Sequence, residues 1–317
     1  MQRAVQNGNA LFEERGATSL PQIGQIDMEK VIPRREMPAI FLQTIERVAR
    51  SLAGAFGVCA ERLDTRAHEP VRLASNEERV FPAASVIKIA VALEVLCAIE
   101  EGKLDASSRL ELRESEKVVG SGVLSALEPG LVLPIADVLY LAMAISDNTA
   151  ANLLIARVGT DAVNARLERL GLVTTRLRGG IFVDGEGGEH SPSTASELVA
   201  LLRAIHRAEG LPRRACERLL SLLSRTQTAS TIGRGLPDER FPRTDAPPPP
   251  ITLAYKTGSL EGIVAEAAIV TTPRATYAIA VMSEGSGDVR PNHDNVGRVM
   301  LGEVSRAVYE TFSASPT

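Results

Sequence analysis

The chain has 317 residues, enough to bury a large core as one domain or two lobes. Its formal net charge is -4 and it carries no concentrated Lys/Arg run, which argues against nucleic acid or an acidic membrane surface as a partner. Tryptophan is absent and aromatics are 3% of the residues, so the core must be built from Leu, Ile, Val and Ala.

Residues 1–37 are polar and aperiodic and read as a flexible N-terminal arm. The arm lacks the apolar stretch of a secretory signal, so the chain as written is expected in the cytoplasm unless an export signal is missing from it. Residues 40–52 carry apolar side chains at helical spacing and predict an amphipathic helix. Residues 53–63, 71–73 and 80–81 read as short strands that begin an antiparallel sheet. An apolar helical run opens at Ser85 and stops at Gly102. Its most apolar part, 89–99, is too short to span a membrane and contains Glu94.

From 104 to about 235 the pattern is mostly helical, with helices predicted over 137–145, 149–158, 161–170, 196–207 and 213–224. Between them the stretch 178–191 is glycine-rich and must be irregular. Residues 237–250 form a proline-rich connector. Three strands follow, over 251–255, 263–270 and 277–282, with a hairpin turn at 272–275 and a closing helix over 296–312. Strands at both ends of the sequence around a helical middle predict an α+β fold, with one antiparallel sheet and a second, helical lobe. A catalytic domain is expected over 38–317, with a sheet lobe of 38–84 and 250–317 and a helical lobe of 85–249.

Cys59, Cys97 and Cys216 lie far apart, without metal-ligand spacing, and read as small buried hydrophobes. Neither a metal nor another cofactor is expected. Three short motifs carry the chemistry: Ser85-Val86-Ile87-Lys88, Ser146-Asp147-Asn148 and Lys256-Thr257-Gly258. Taken singly, the first reads better as a helix cap with a solvated lysine and the second as a capped turn between helices, and the third would be ordinary as a strand end with a surface lysine. Taken in this order, they supply what an acyl-transferring serine enzyme needs when no histidine serves as base. His68, His190, His206 and His293 have no evident serine partner, and there is no G-x-S-x-G elbow.

Ser85 is the candidate nucleophile, in the first turn of its helix, near unpaired backbone N–H groups. Lys88 lies three residues on, on the same face, and can act as base if burial and a second cation, Lys256, lower its pKa. Ser146 can relay a proton to the leaving nitrogen, and the Asn148 amide can bind a substrate amide. Lys256 and Thr257 can hold a substrate carboxylate, and Gly258 lets substrate lie against the strand edge. The N–H groups of Ser85 and Ser259 are expected to form an oxyanion hole.

This motif set resembles that of the penicillin-recognising serine enzymes, class A β-lactamases in particular. Phe81-Pro82-Ala83-Ala84-Ser85 resembles the family's approach to its nucleophile, and the loop 120–124, with Ser121, resembles the one that edges the family's site. Residues 174–177 and 256–262 resemble the start of the omega loop and the strand and turn after the third motif. The resemblance covers about residues 38 to 314. It implies a five-stranded antiparallel sheet packed on a helical lobe, a site between them, substrate-binding roles for Ser121, Asn148, Thr257 and Gly258, and a small acyl substrate, a β-lactam or related amide or ester. A monomer is expected.

Two departures stand out. The omega loop lacks the E-x-E-L-N pattern whose glutamate positions the deacylating water, and Ile181 stands about where that glutamate belongs. Glu186, Glu189 or Asp184 are the candidates to replace it, or all three are plain solvated carboxylates. On the strand after the third motif, where many relatives carry an arginine, Ala265 and Glu266 stand instead, and Arg290 is the candidate compensating cation. Three functions therefore compete: a β-lactamase, a peptidase, amidase or esterase on the same fold, and an acylated binding protein with poor turnover.

Overall fold

The computed structural model describes residues 37–64, 72–181, 190–237 and 250–313. Asp184, Glu186, Glu189 and His68 lie outside the described residues, as do most of the N-terminal arm and of the proline-rich connector.

The first helix, α1 (Ala39–Ser51), buries Phe41, Thr44, Ile45 and Val48. Their spacing of three and four residues makes one stripe, and that stripe faces the sheet. The chain then forms β1 (Ala55–Arg62), β2 (Arg72–Ser75) and the two-residue β3 (Phe81–Pro82). A 3-10 turn, Ala84–Ile87, leads into α2 (Lys88–Glu100). Between α2 and the next long helix come β4 (Arg109–Glu111) and β5 (Val132–Pro134), paired antiparallel. The helical layer continues with α3 (Ile135–Ala144), α4 (Asn148–Val158) and α5 (Thr160–Arg169). After β6 (Pro192–Ser193) come α6 (Ala195–Arg207), α7 (Arg213–Leu223) and the one-turn α8 (Thr231–Arg234). The chain returns to the sheet as β7 (Thr252–Leu260), β8 (Ile263–Thr271) and β9 (Thr276–Glu284), and ends in α9 (Val296–Ser313).

The main sheet has five strands in the order β2-β1-β9-β8-β7, all neighbours antiparallel. The early and late strands thus join in one sheet, as the sequence predicts, through the β1–β9 pair. One expectation fails. Phe81 does not extend this sheet: β3 pairs with β6, Phe81 opposite Ser193, and ties the approach to Ser85 to the helical segment. The first of the late strands is also longer than expected, because β7 runs through Lys256-Thr257-Gly258 rather than stopping before it.

Both faces of the sheet are covered. On β9, Ala278, Ala280 and Met282 join the core beneath the helical layer, whereas Tyr277, Ile279 and Val281 join the core under α1 and α9. Alternate residues feed opposite cores, so the strand reads as one unbroken apolar run. Helix α2 lies at the centre of the helical layer. It is buried from Lys88 to Ala98, which is why its sequence is apolar all round rather than striped. No helix among the described residues is long and apolar enough to cross a membrane.

Candidate active site

An open cleft of about 430 Å³ lies where β7 meets the helical layer. Ser85, Ser121, Ser146, Asn148, Thr257 and Ser259 all line it. The sequence-predicted acylation residues, drawn from three distant stretches, therefore meet in one place.

Ser85 enters from the 3-10 turn before α2. Ala84 ahead of it has a left-handed backbone, φ +46°, and so does Ser146, at φ +60°. Such conformations cost about 1–3 kcal/mol each and persist only where the surroundings enforce them. The enforcement at Ser85 is visible at Gly258. A Cβ there would lie 2.9 Å from both the Ala83 carbonyl oxygen and the Ser85 nitrogen. Only a glycine lets β7 press this closely on the nucleophile turn. Ser259, the next residue of β7, lines the same cleft as Ser85.

Lys88 and Lys256 are both buried, at 1% and 0% exposure. Their amines converge on Ser146 from two sides. Lys88 Nζ donates to the Ser146 carbonyl oxygen at 2.5 Å, to Asn148 Oδ1 at 2.7 Å and to Ser146 Oγ at 3.3 Å. Lys256 Nζ donates to Ser146 Oγ at 2.9 Å and to its neighbour's carbonyl, that of Thr257, at 2.7 Å. Burial, reinforced by the charge of Lys256, pushes the Lys88 amine well below its ordinary pKa. Burial lowers Lys256 to about 7, with Glu266 opposing the shift. Lys88 makes no hydrogen bond to the Ser85 hydroxyl; it is held instead on Ser146 and Asn148.

The Ser146-Asp147-Asn148 turn is fixed by its middle residue. Asp147 caps α4 through Ala150 N and accepts from Val123 N and Leu124 N, so one buried carboxylate holds the loop 120–124 against the helix. Gly122, at φ +114°, leaves no room for a Cβ beside it. Asn148 spends its carbonyl on Lys88 and one amide hydrogen on Val119 O, leaving one N–H for a ligand. Ser121 Oγ donates to the Ser146 carbonyl at 2.7 Å.

Ile181 ends the described part of the omega-like loop. Its backbone is clamped by Asn152 of α4, which donates to Ile181 O at 2.9 Å and accepts from Ile181 N at 2.7 Å. The side chain packs against the helical core. Among the described residues, no carboxylate lines the cleft.

Arg290 is not the compensating cation. It is exposed and engages Asp288 through two nitrogens, at 2.8 and 2.6 Å. Arg298, in the first turn of α9, lines the cleft instead, with Thr228, Ala229 and His293. Sequence reasoning missed all four. Arg298 sits one turn into an ordinary amphipathic helix, and nothing in its neighbours marks it. Glu266 does not face the cleft either. Ala265 joins the core on the helical side of β8, so Glu266 points to the opposite face. There it is fully buried and accepts from Ser230 Oγ and Thr231 N.

Comparison with known proteins bears on the family and the fold. Two β-lactamases of Pseudomonas aeruginosa, PSE-4 and CARB-3, are each 30% identical over 136 residues, which is 43% of this chain and 46% of theirs. The chain thus matches about half the length of these curated relatives. Among solved structures, a β-lactamase from Sphaerobacter thermophilus superposes with a TM-score of 0.75 at 28% identity, covering 87% of this chain and 98% of that one. PBP-A superposes with a TM-score of 0.74, also at 28% identity, over 87% and 96%. A PBP-A variant solved as an acyl-enzyme complex with penicillin G aligns at a TM-score of 0.74 and 28% identity, over 86% and 96%. The profile of the Beta-lactamase enzyme family matches residues 41–312, nearly all of the described chain, and the protein belongs to that family.

Proposed function

We propose that this protein is a serine hydrolase that opens β-lactams through an acyl-enzyme on Ser85. The observation that carries this reading is the convergence of two buried lysines on Ser146 beside a serine held in a strained turn. Lys88, its amine held well below its ordinary pKa by burial and by the charge of Lys256, takes the Ser85 proton while Oγ attacks the lactam carbonyl. The N–H groups of Ser85 and Ser259 hold the resulting oxyanion. Ser146 gives its proton to the lactam nitrogen as the C–N bond breaks, and is reprotonated through the lysine amines it touches. Thr257, Lys256 and Arg298 bind the substrate carboxylate.

Water then releases the acid. Ile181 has no group to activate that water, so in this reading clearing the acyl-enzyme is the slower half of the reaction, with Glu186 and Glu189 the candidates to supply a base. The test is intact-protein mass after mixing with a penicillin, with product followed in parallel. A mass gain equal to the drug, decaying as hydrolysed product appears, is the expected result. Neither adduct nor product at high enzyme concentration would refute the reading.

A further inference from the structure

Glu266 is a fully buried acid that the reaction above does not use. It sits on β8 directly opposite Thr257 of β7, so the two share one face of the sheet. That face is covered here by α8 and the start of α9. Glu266 Oε1 accepts from Ser230 Oγ at 2.5 Å, and Oε2 accepts from Thr231 N at 2.6 Å. Ser230 Oγ in turn accepts from Gly233 N at 2.6 Å, so its single hydrogen is committed to the carboxylate.

The segment held in this way is a wall of the cleft. Thr228 and Ala229 line it, and Thr228 Oγ1 lies 2.8 Å from Thr257 Oγ1. The other end of the segment is pinned to β7: Thr226 Oγ1 donates to Tyr255 O, and Tyr255 Oη donates to Thr226 O and Thr228 O. One end of the wall thus hangs on β7 and the other on Glu266. A short polar run cannot hold its own place against a sheet edge, and a charge-assisted pair of hydrogen bonds from beneath can hold it.

We infer that Glu266 is a positioning residue: through Ser230 and Thr231 it holds the 228–231 wall against Thr257, and thereby sets how well the cleft recognises a substrate carboxylate, without touching substrate itself. This deepens, and rests on, the assignment of acyl transfer to Ser85. It places a determinant of anion selectivity on the far face of the sheet.

The test compares two substrates of one scaffold, a chromogenic cephalosporin with a free carboxylate and its methyl ester. Glu266→Asp keeps the charge and shortens the reach by one methylene, and Ser230→Ala removes the hydroxyl that the carboxylate holds. In each variant the ratio of kcat/KM for the acid to that for the ester should fall about tenfold, through KM for the acid rather than through kcat. The double variant should fall no further than the worse single one, because both cut the same tie. A uniform loss on both substrates, or an unchanged ratio in variants that melt as the parent does, overturns the inference. If Glu266→Asp does not fold, Ser230→Ala decides alone. Failure of the parent protein to react with either substrate would instead refute the acyl-transfer reading and is seen in the same assay.

Discussion

Lys88 and Lys256 sit too close, and too deeply buried, for both to hold a proton at little cost. One serine hydroxyl lies within hydrogen-bond range of both amines. The burden falls on Lys88, whose pKa is held well below normal, first by burial and then by the positive charge of Lys256. Lys256, at about 7, keeps its proton to neutrality with help from Glu266. The two signs oppose each other. As pH falls, Lys88 gains a proton and ceases to be a base; as pH rises through about 7, Lys256 loses the charge that anchors a carboxylate. Glu266, raised to about 7 by burial, ionises over the same range and favours the charged lysine, so the alkaline limb should be broad. We expect Lys256→Arg, whose guanidinium keeps its charge, to move the alkaline limb of acylation upward, as read by stopped-flow labelling across pH. An unmoved limb would assign it to another group. Ser85→Ala should abolish the mass adduct, and Lys88→Ala should slow its formation by about 10²–10⁴-fold.

At the scale of elements, the site depends on how closely β7 can approach the turn before α2. Gly258 sets that distance. A methyl group there would meet two backbone atoms at 2.9 Å, and neither is a flexible side chain that could swing away. Gly258→Ala should therefore push β7 off the nucleophile turn and cut the acylation rate at least about tenfold, with Ser85 and Lys88 untouched. Unchanged acylation kinetics would mean that the turn yields more easily than its packing suggests. The same elements show what could be read in the sequence. That Ser85, Lys88, Ser146 and Lys256 would meet in one place was legible because their three motifs form a recognisable set. The helices were legible because their apolar spacing is unambiguous, as in α6 and α7. The pairing of Phe81 with Ser193 was not legible, since two residues carry no period. Nor were Arg298 and the orientation of Glu266, since each depends on strand register and helix docking: a slip of one residue in β8 would turn Glu266 into the opposite core.

At the scale of the molecule, the chemistry and the stability are held by separate polar clusters on one sheet. Lys256 lies on β7, at the opposite edge from β2. At the β2 end, Arg72 donates to Glu61 at 3.0 Å and to Glu77 at 3.0 and 2.5 Å, while Arg203 of α6 reaches Glu61 at 3.2 Å. This network ties β1, β2 and α6 together, and both Arg72 and Glu61 are buried, at 5% and 6% exposure. A buried ion pair adds little over a well-packed apolar pair, but removing one member leaves a charge stranded away from water. Arg72→Ala should accordingly cost about 3–5 kcal/mol, a fall in Tm of roughly 10 °C for a chain of this size. The β1–β9–β8–β7 part of the sheet should carry no trace of that loss at ambient temperature, because three strands separate Arg72 from Lys256. Thermal melts paired with penicillin labelling at 20 °C, taken as a temperature ~25 °C or more below the usual melting range of such domains, check both halves. A lower Tm with an unchanged labelling rate is the expected outcome. Slowed labelling in a variant still fully folded would mean that the far edge of the sheet sets the geometry at Ser85, and that the two clusters are mechanically one.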